Sequence, residues 1–103
     1  MPTAEGYIKS NSGGRFVATF TIDGASFNFS GAFSSSVPPF TCNDATLTYT
    51  ATNQLASTRN FEGRLGPSKA TINLANGPVI SGILDMPINP GSSVSGSGVW
   101  TEN

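Results

Sequence analysis

The sequence contains no histidine and only one cysteine, Cys42. The first absence removes the commonest general base and neutral metal ligand, and with them Ser-His-Asp and Cys-His catalysis. A single cysteine excludes an intramolecular disulfide, and one thiol without imidazole does not make a closed zinc site. We therefore expect no catalytic residue set of these kinds, no metal and no cofactor.

Charge is also scarce. Charged residues make up 11% of the chain and the formal net charge is -1. Such a weak field does not steer phosphates, so we expect no nucleic-acid partner. Disordered chains usually combine few aromatics with high net charge, whereas this chain has seven Phe, two Tyr and one Trp. An ordered chain of 103 residues fits one domain, which we place at 1–103.

Long apolar runs are missing as well. No stretch approaches the roughly 20 apolar residues of a membrane-spanning helix, and we expect no membrane span. The segment Met1 to Glu5 shows no basic region followed by an apolar run, so no signal peptide is visible. The compartment stays open between the cytoplasm and secretion with the signal sequence removed.

Apolar residues recur at every second position, which is the period of a half-buried strand. A first alternating run covers 15–22, Asp23-Gly24 supplies a turn, and a second run follows to 33. These segments predict a β-hairpin. Asn11 to Gly14 is a plausible turn into it from an earlier strand around Tyr7-Ile8.

A second hairpin is predicted further along, where Asn76-Gly77 separates a run beginning at Ala70 from its partner, Val79 to Met86. Strands are also expected at 46–52 and 94–100, which gives about eight strands in all. In the first of these, the inward-facing side chains are Leu47, Tyr49 and Ala51. The segment 53–57 is too short for more than one helical turn.

Five glycines lie between large or apolar neighbours on the inward face of these runs: Gly6, Gly31, Gly63, Gly82 and Gly98. Inward glycines let a sheet bend sharply and make room for bulky side chains opposite them, although they also clear space for a ligand. Because successive strands are joined by short turns, we predict an all-β fold, a small antiparallel up-and-down barrel of about eight short strands. A two-sheet β-sandwich is the alternative, since the proline-containing connections at 37–45 and 87–93 suit a strand that crosses between sheets.

The composition favours a noncatalytic binding or self-associating module over an enzyme. Low charge and many small polar residues offer few barriers to contact between copies, and small β proteins often pair exposed edges, so we expect a homo-oligomer. A carboxylate-dependent enzyme is the least favoured of the functions considered. Its candidate catalytic residues are Glu62 and Asp85, as a facing pair, and Tyr49.

A second function hypothesis is a carrier that holds a small apolar ligand inside the barrel, among its aromatic residues. Carbohydrate is another candidate ligand, because an aromatic ring such as Trp100 stacks on a sugar. Arg64 belongs with Arg59 and Lys69 to a group of cations that could line an anion or sugar site. The residues predicted to bind a ligand are Phe29, Tyr49, Phe61, Arg64 and Trp100.

Overall fold

The computed structural model describes residues 2–11, 14–34 and 37–102. Within these residues the chain forms one 3-10 turn, Thr52–Gln54, and eight strands. The strands are β1 Thr3–Ser10, β2 Arg15–Ile22, β3 Ala25–Phe33, β4 Thr41–Thr48, β5 Thr58–Leu65, β6 Lys69–Leu74, β7 Val79–Ile83 and β8 Ser92–Glu102. All neighbouring strands are antiparallel and the sheet closes on itself. The predicted eight-stranded antiparallel barrel is confirmed, and the sandwich is excluded. No helix in the described ranges has the length and apolar character needed to cross a membrane.

The order of the strands around the barrel, β1-β2-β3-β8-β5-β6-β7-β4, is not the predicted up-and-down order. In an up-and-down barrel β4 would lie between β3 and β5, and β8 between β7 and β1. Here β4 and β8 have exchanged places, so that β4 pairs with β1 and β7, and β8 pairs with β3 and β5. Each half of the chain is thus a Greek key, in which a fourth strand returns beside the first of three consecutive strands.

The two Greek keys begin with hairpins built to the same plan. In β1 the sequence Glu-Gly-Tyr-Ile at 5–8 corresponds to Glu-Gly-Arg-Leu at 62–65 in β5, and Ala-Thr at 18–19 corresponds to Ala-Thr at 70–71. Both glycines lie against the neighbouring strand so closely that a Cβ atom would collide with the carbonyl oxygen of the threonine there. We call the β1–β2 hairpin the first hairpin and the β5–β6 hairpin the second hairpin.

The predicted hairpin turns are present. Asp23 and Gly24 join β2 to β3 with φ of 50° and 82°, the conformation that matches the twist of paired strands. Asn76-Gly77 joins β6 to β7, but β7 ends at Ile83 and not at Met86. The tip of the turn between β1 and β2, residues 12 and 13, lies outside the described residues.

The strand predicted at 46–52 begins and ends earlier, at Thr41–Thr48. Leu47 and Tyr49 are buried as predicted, whereas Ala51 is exposed. The reason is local: the chain leaves the sheet, and Gln54 Oε1 accepts a hydrogen bond from the backbone N–H of Thr50 at 2.8 Å. The prediction that Ala51 faces inward was therefore wrong, because the strand ends before it and the Gln54 side chain binds the backbone there.

Aromatic rings pack against one another inside the barrel. The centroid of Phe16 lies 6.0 Å from that of Phe29 and 5.4 Å from that of Phe61, and Trp100 lies 5.0 Å from Phe29. A Cβ atom on Gly31 would come within 2.6 Å of the Phe16 ring. Ring pairs of this kind contribute about 0.5–1.5 kcal/mol each beyond the burial of their area. The inward glycines therefore serve curvature and packing.

Candidate functional site

The five residues predicted to bind a ligand do not form one site. Phe29, Phe61 and Trp100 are at most 5% exposed and belong to the packed interior, and Tyr49 is also buried. Their rings occupy the space that a carrier would reserve for an apolar ligand. Arg64 points outward from β5 into a groove beside Glu62.

The predicted group of three cations is also divided by the fold. Arg59 is half-buried, on the inward-facing parity of β5, while Arg64 lies on the outer face of that strand. Lys69 lines a different groove, together with Glu5 and Asp44. The three side chains therefore do not make a single basic patch.

The nominated carboxylates, Glu62 and Asp85, belong to different parts of the barrel. Glu62 lies in the middle of β5, opposite Asn73 of β6 and Ser95 of β8. Asp85 follows β7, and its Oδ1 accepts a hydrogen bond from Asn43 Nδ2 at 2.8 Å at the start of β4. The strand β6 lies between β5 and β7, and Asp85 lies beyond the end of β7 while Glu62 is in mid-strand, so the register does not place the two carboxylates opposite each other. Within the described ranges, no group of three or more Cys, Asp or Glu side chains is placed to hold a metal ion.

Cys42 is fully buried in β4. Burial, with a smaller contribution from the charge of Asp85, raises the pKa of its thiol from 9.0 to about 11. The thiol is therefore protonated at neutral pH, and a protonated thiol is a poor nucleophile. Cys42 has the character of a small core residue.

A groove of about 620 Å³ crosses the outer face of β1, β2, β3 and β8, and we call it the first groove. Successive side chains of a strand point to opposite faces of the sheet, so every second residue of these strands faces outward. The outward residues of neighbouring strands together line the groove. The side chains that matter here are Tyr7, Lys9, Arg15, Val17, Thr19, Ser30 and Ser97.

The register aligns these side chains in rows across the strands. Tyr7 lies opposite Thr19, and Lys9 lies opposite Val17. The row continues from Val17 to Ser30 on β3 and from Ser30 to Val99 on β8. Lys9 Nζ lies 5.3 Å from the centroid of the Tyr7 ring, within the range of a cation–π contact. The result is a face with one exposed ring and two exposed valines, of which Val17 lines the first groove and Val99 lies beside it. Hydroxyl groups and two cations surround them.

Family models, curated proteins and solved structures gave no match to this chain. The two hairpins of the molecule can, however, be compared with each other, position by position. Counting from the shared glycine and threonine, Tyr7 occupies the position of Arg64, and Val17 the position of Lys69. Tyr7 and Val17 are each 41% exposed. The second hairpin has a charged residue at each of these two positions and still forms the same pair of strands. The fold therefore does not require Tyr7 or Val17 to be apolar.

Sequence reasoning did not select Tyr7, Lys9 or Val17, although a signal for each was available. Gly6 and Ile8 face inward, which forces Tyr7 and Lys9 outward on the same strand. Val17 alternates with the inward Phe16 and Ala18 in the same way. An apolar residue on the outward parity of a strand is the signal that identifies such a face.

Proposed function

We propose that the protein is a noncatalytic binding module whose ligand lies in the first groove. The observation that carries this proposal is the exposure of Tyr7 and Val17 where the second hairpin has Arg64 and Lys69. Every strand of the barrel pairs on both sides, so a partner binds to a face and not to an edge. The lining of the first groove combines an exposed ring, an exposed apolar side chain and hydroxyl groups.

A carbohydrate is the ligand class that suits this lining. The Tyr7 ring offers a flat apolar surface for one face of a sugar, as aromatic side chains do with amphipathic ligands. Hydroxyl groups of Ser30 and Ser97 line the groove as donors and acceptors for sugar hydroxyls. The Thr19 hydroxyl, which donates to Asn28 Oδ1 at 2.8 Å, offers the groove an acceptor. A volume of about 620 Å³ is within the usual range for small-ligand sites and accommodates a short oligosaccharide.

Screening an oligosaccharide library, followed by calorimetric titration of the best ligand, tests the proposal. Tyr7→Ala should weaken binding at least tenfold because the stacking surface is lost, whereas Tyr7→Phe should retain most of it. Ile83→Ala is the matched control, since Ile83 is 70% exposed on β7, outside the first groove. Full binding by Tyr7→Ala would place the ligand elsewhere and reject this assignment.

Self-association through the same face is the second candidate function. It is favoured by the row in which Val17 and Val99, each 41% exposed, flank Ser30. The closed barrel has no free strand edge for a homo-oligomer to use, so a second copy would bind to a face, and this row offers two exposed valines to it. Sedimentation velocity at rising concentration should then detect a dimer that Val17→Lys disrupts. A monomer at every concentration would remove this candidate.

A further inference from the structure

Charges are unevenly distributed among the grooves of the barrel surface. The first groove is lined by two cations, Lys9 and Arg15, and by no carboxylate. Each of the other four grooves described has at least one carboxylate in its lining. Those carboxylates are Glu5, Asp23, Asp44, Glu62 and Glu102. In a chain with a net charge of -1, positive charge is thus concentrated where the exposed ring lies.

The two cations stand on neighbouring strands at one end of the first groove, and the Lys9 ammonium leans toward the Tyr7 ring. Lys9 faces Val17 across the first hairpin, and Arg15 is two residues from Val17 on the same side of β2. Backbone hydrogen bonding fixes this end, because the N–H of Asn11 donates to the carbonyl oxygen of Arg15 at 2.9 Å. An anion bound between these two side chains would accept charge-assisted hydrogen bonds from both.

We infer that the ligand of the first groove is an acidic oligosaccharide, in which a carboxylate or sulfate group is bound by Lys9 and Arg15 while a sugar ring stacks on Tyr7. This inference rests on the proposed function and specifies its substrate class. The Lys9 ammonium lies over the Tyr7 ring, so a sugar that stacks on this face would displace it, and the displaced ammonium would pair with the anionic group of the same ligand.

Three oligosaccharides of equal length test the inference by calorimetry: a neutral glucan, an oligogalacturonate and a sulfated glucan. At least one acidic ligand should bind ten times more tightly than the neutral one, and its affinity should fall as the salt concentration rises. Comparison of the carboxylate and sulfate arms identifies which anionic group is preferred.

A pair of double variants locates the charge effect. Lys9→Gln with Arg15→Gln should weaken binding of the acidic ligand at least tenfold and abolish its advantage in affinity over the neutral glucan. Arg64→Gln with Lys69→Gln removes the same charge from the second hairpin and should leave both affinities unchanged. Circular dichroism and the unfolding midpoint establish that both double variants are folded.

Failure of the inference and failure of the proposed function give different results. Equal affinity for neutral and acidic ligands, with a loss in Tyr7→Ala alone, would overturn the acidic ligand and keep the binding groove. Binding that falls only in the Arg64 and Lys69 double variant would move the site to the second hairpin. Binding that neither Tyr7→Ala nor either double variant affects would reject the first groove altogether.

Discussion

Gly6 lies against the carbonyl oxygen of Thr19 on the neighbouring strand, with no room for a Cβ atom between them. Gly63 and Thr71 repeat the relationship in the second half of the chain. Each contact joins the two strands of one hairpin, so the same constraint operates once in each Greek key. This recurrence is the physical basis for treating the two hairpins as matched structures.

Gly6→Ala and Gly63→Ala should both destabilise the barrel strongly, because the added methyl group collides with backbone that cannot rotate away. We expect a loss of about 3 kcal/mol or more in each free energy of unfolding, measured in urea. Gly14→Ala is the control: Gly14 has φ of 76° and nothing within 4 Å of its Cβ position. That variant should lose only about 1 kcal/mol. Equal losses at Gly6 and Gly14 would contradict the close approach.

The packed interior predicts that the native protein does not bind small apolar molecules within the barrel. Phe61→Ala should lose about 3–5 kcal/mol of stability and create a cavity lined by the remaining rings. Benzene should then raise the unfolding midpoint of Phe61→Ala but not that of the native protein, since apolar cavities of this kind accept such ligands. A rise in the native protein would instead reveal a chamber and support the carrier hypothesis.

The raised pKa of Cys42 predicts that the free energy of unfolding falls at high pH. Its thiol has a pKa of about 11 in the fold, against 9.0 ordinarily, so the folded state holds the proton more tightly. This contribution is fully present below pH 9 and is lost as pH rises through the folded pKa.

Unfolding in urea at pH 8, 9, 10 and 11 measures this dependence. The stability of the native protein relative to Cys42→Ala should decline over the upper part of that range, because only the native chain carries the thiol. The comparison removes the contributions of lysine and tyrosine side chains, which both proteins share. A constant difference at all four pH values would show that the thiol titrates alike in the folded and unfolded states.

The closed barrel could be predicted from the sequence because each strand carries its own period of two, and the turns at Asp23-Gly24 and Asn76-Gly77 are local signals. The exchange of β4 and β8 could not, since their pairing depends on contacts between residues far apart, such as Phe29 with Trp100. Short connections favour neighbours along the chain, but the longer segments after β3 and β7 leave that choice to tertiary packing.

The candidate site was missed for a different reason. Aromatic residues were selected as ligand-binding for their chemistry, yet Phe29 and Phe61 face inward and fill the core, while Tyr7 faces outward. The correspondence between the hairpins was hidden because the first hairpin has a longer stretch between Gly6 and Thr19 than the second has between Gly63 and Thr71. The tetrapeptides at 5–8 and 62–65 match Tyr7 with Arg64, but it takes the register to join each of them to its Ala-Thr pair and so to match Val17 with Lys69.

Titration of ¹⁵N-labelled protein with an oligogalacturonate, followed by NMR chemical shifts, tests the central claim most directly. Binding in the first groove should shift the amide signals of Tyr7, Lys9, Val17 and Ser30 and leave those of Arg64 and Thr71 in place. Shifts confined to Arg64 and Thr71, or an absence of shifts with the neutral and acidic ligands alike, would contradict it.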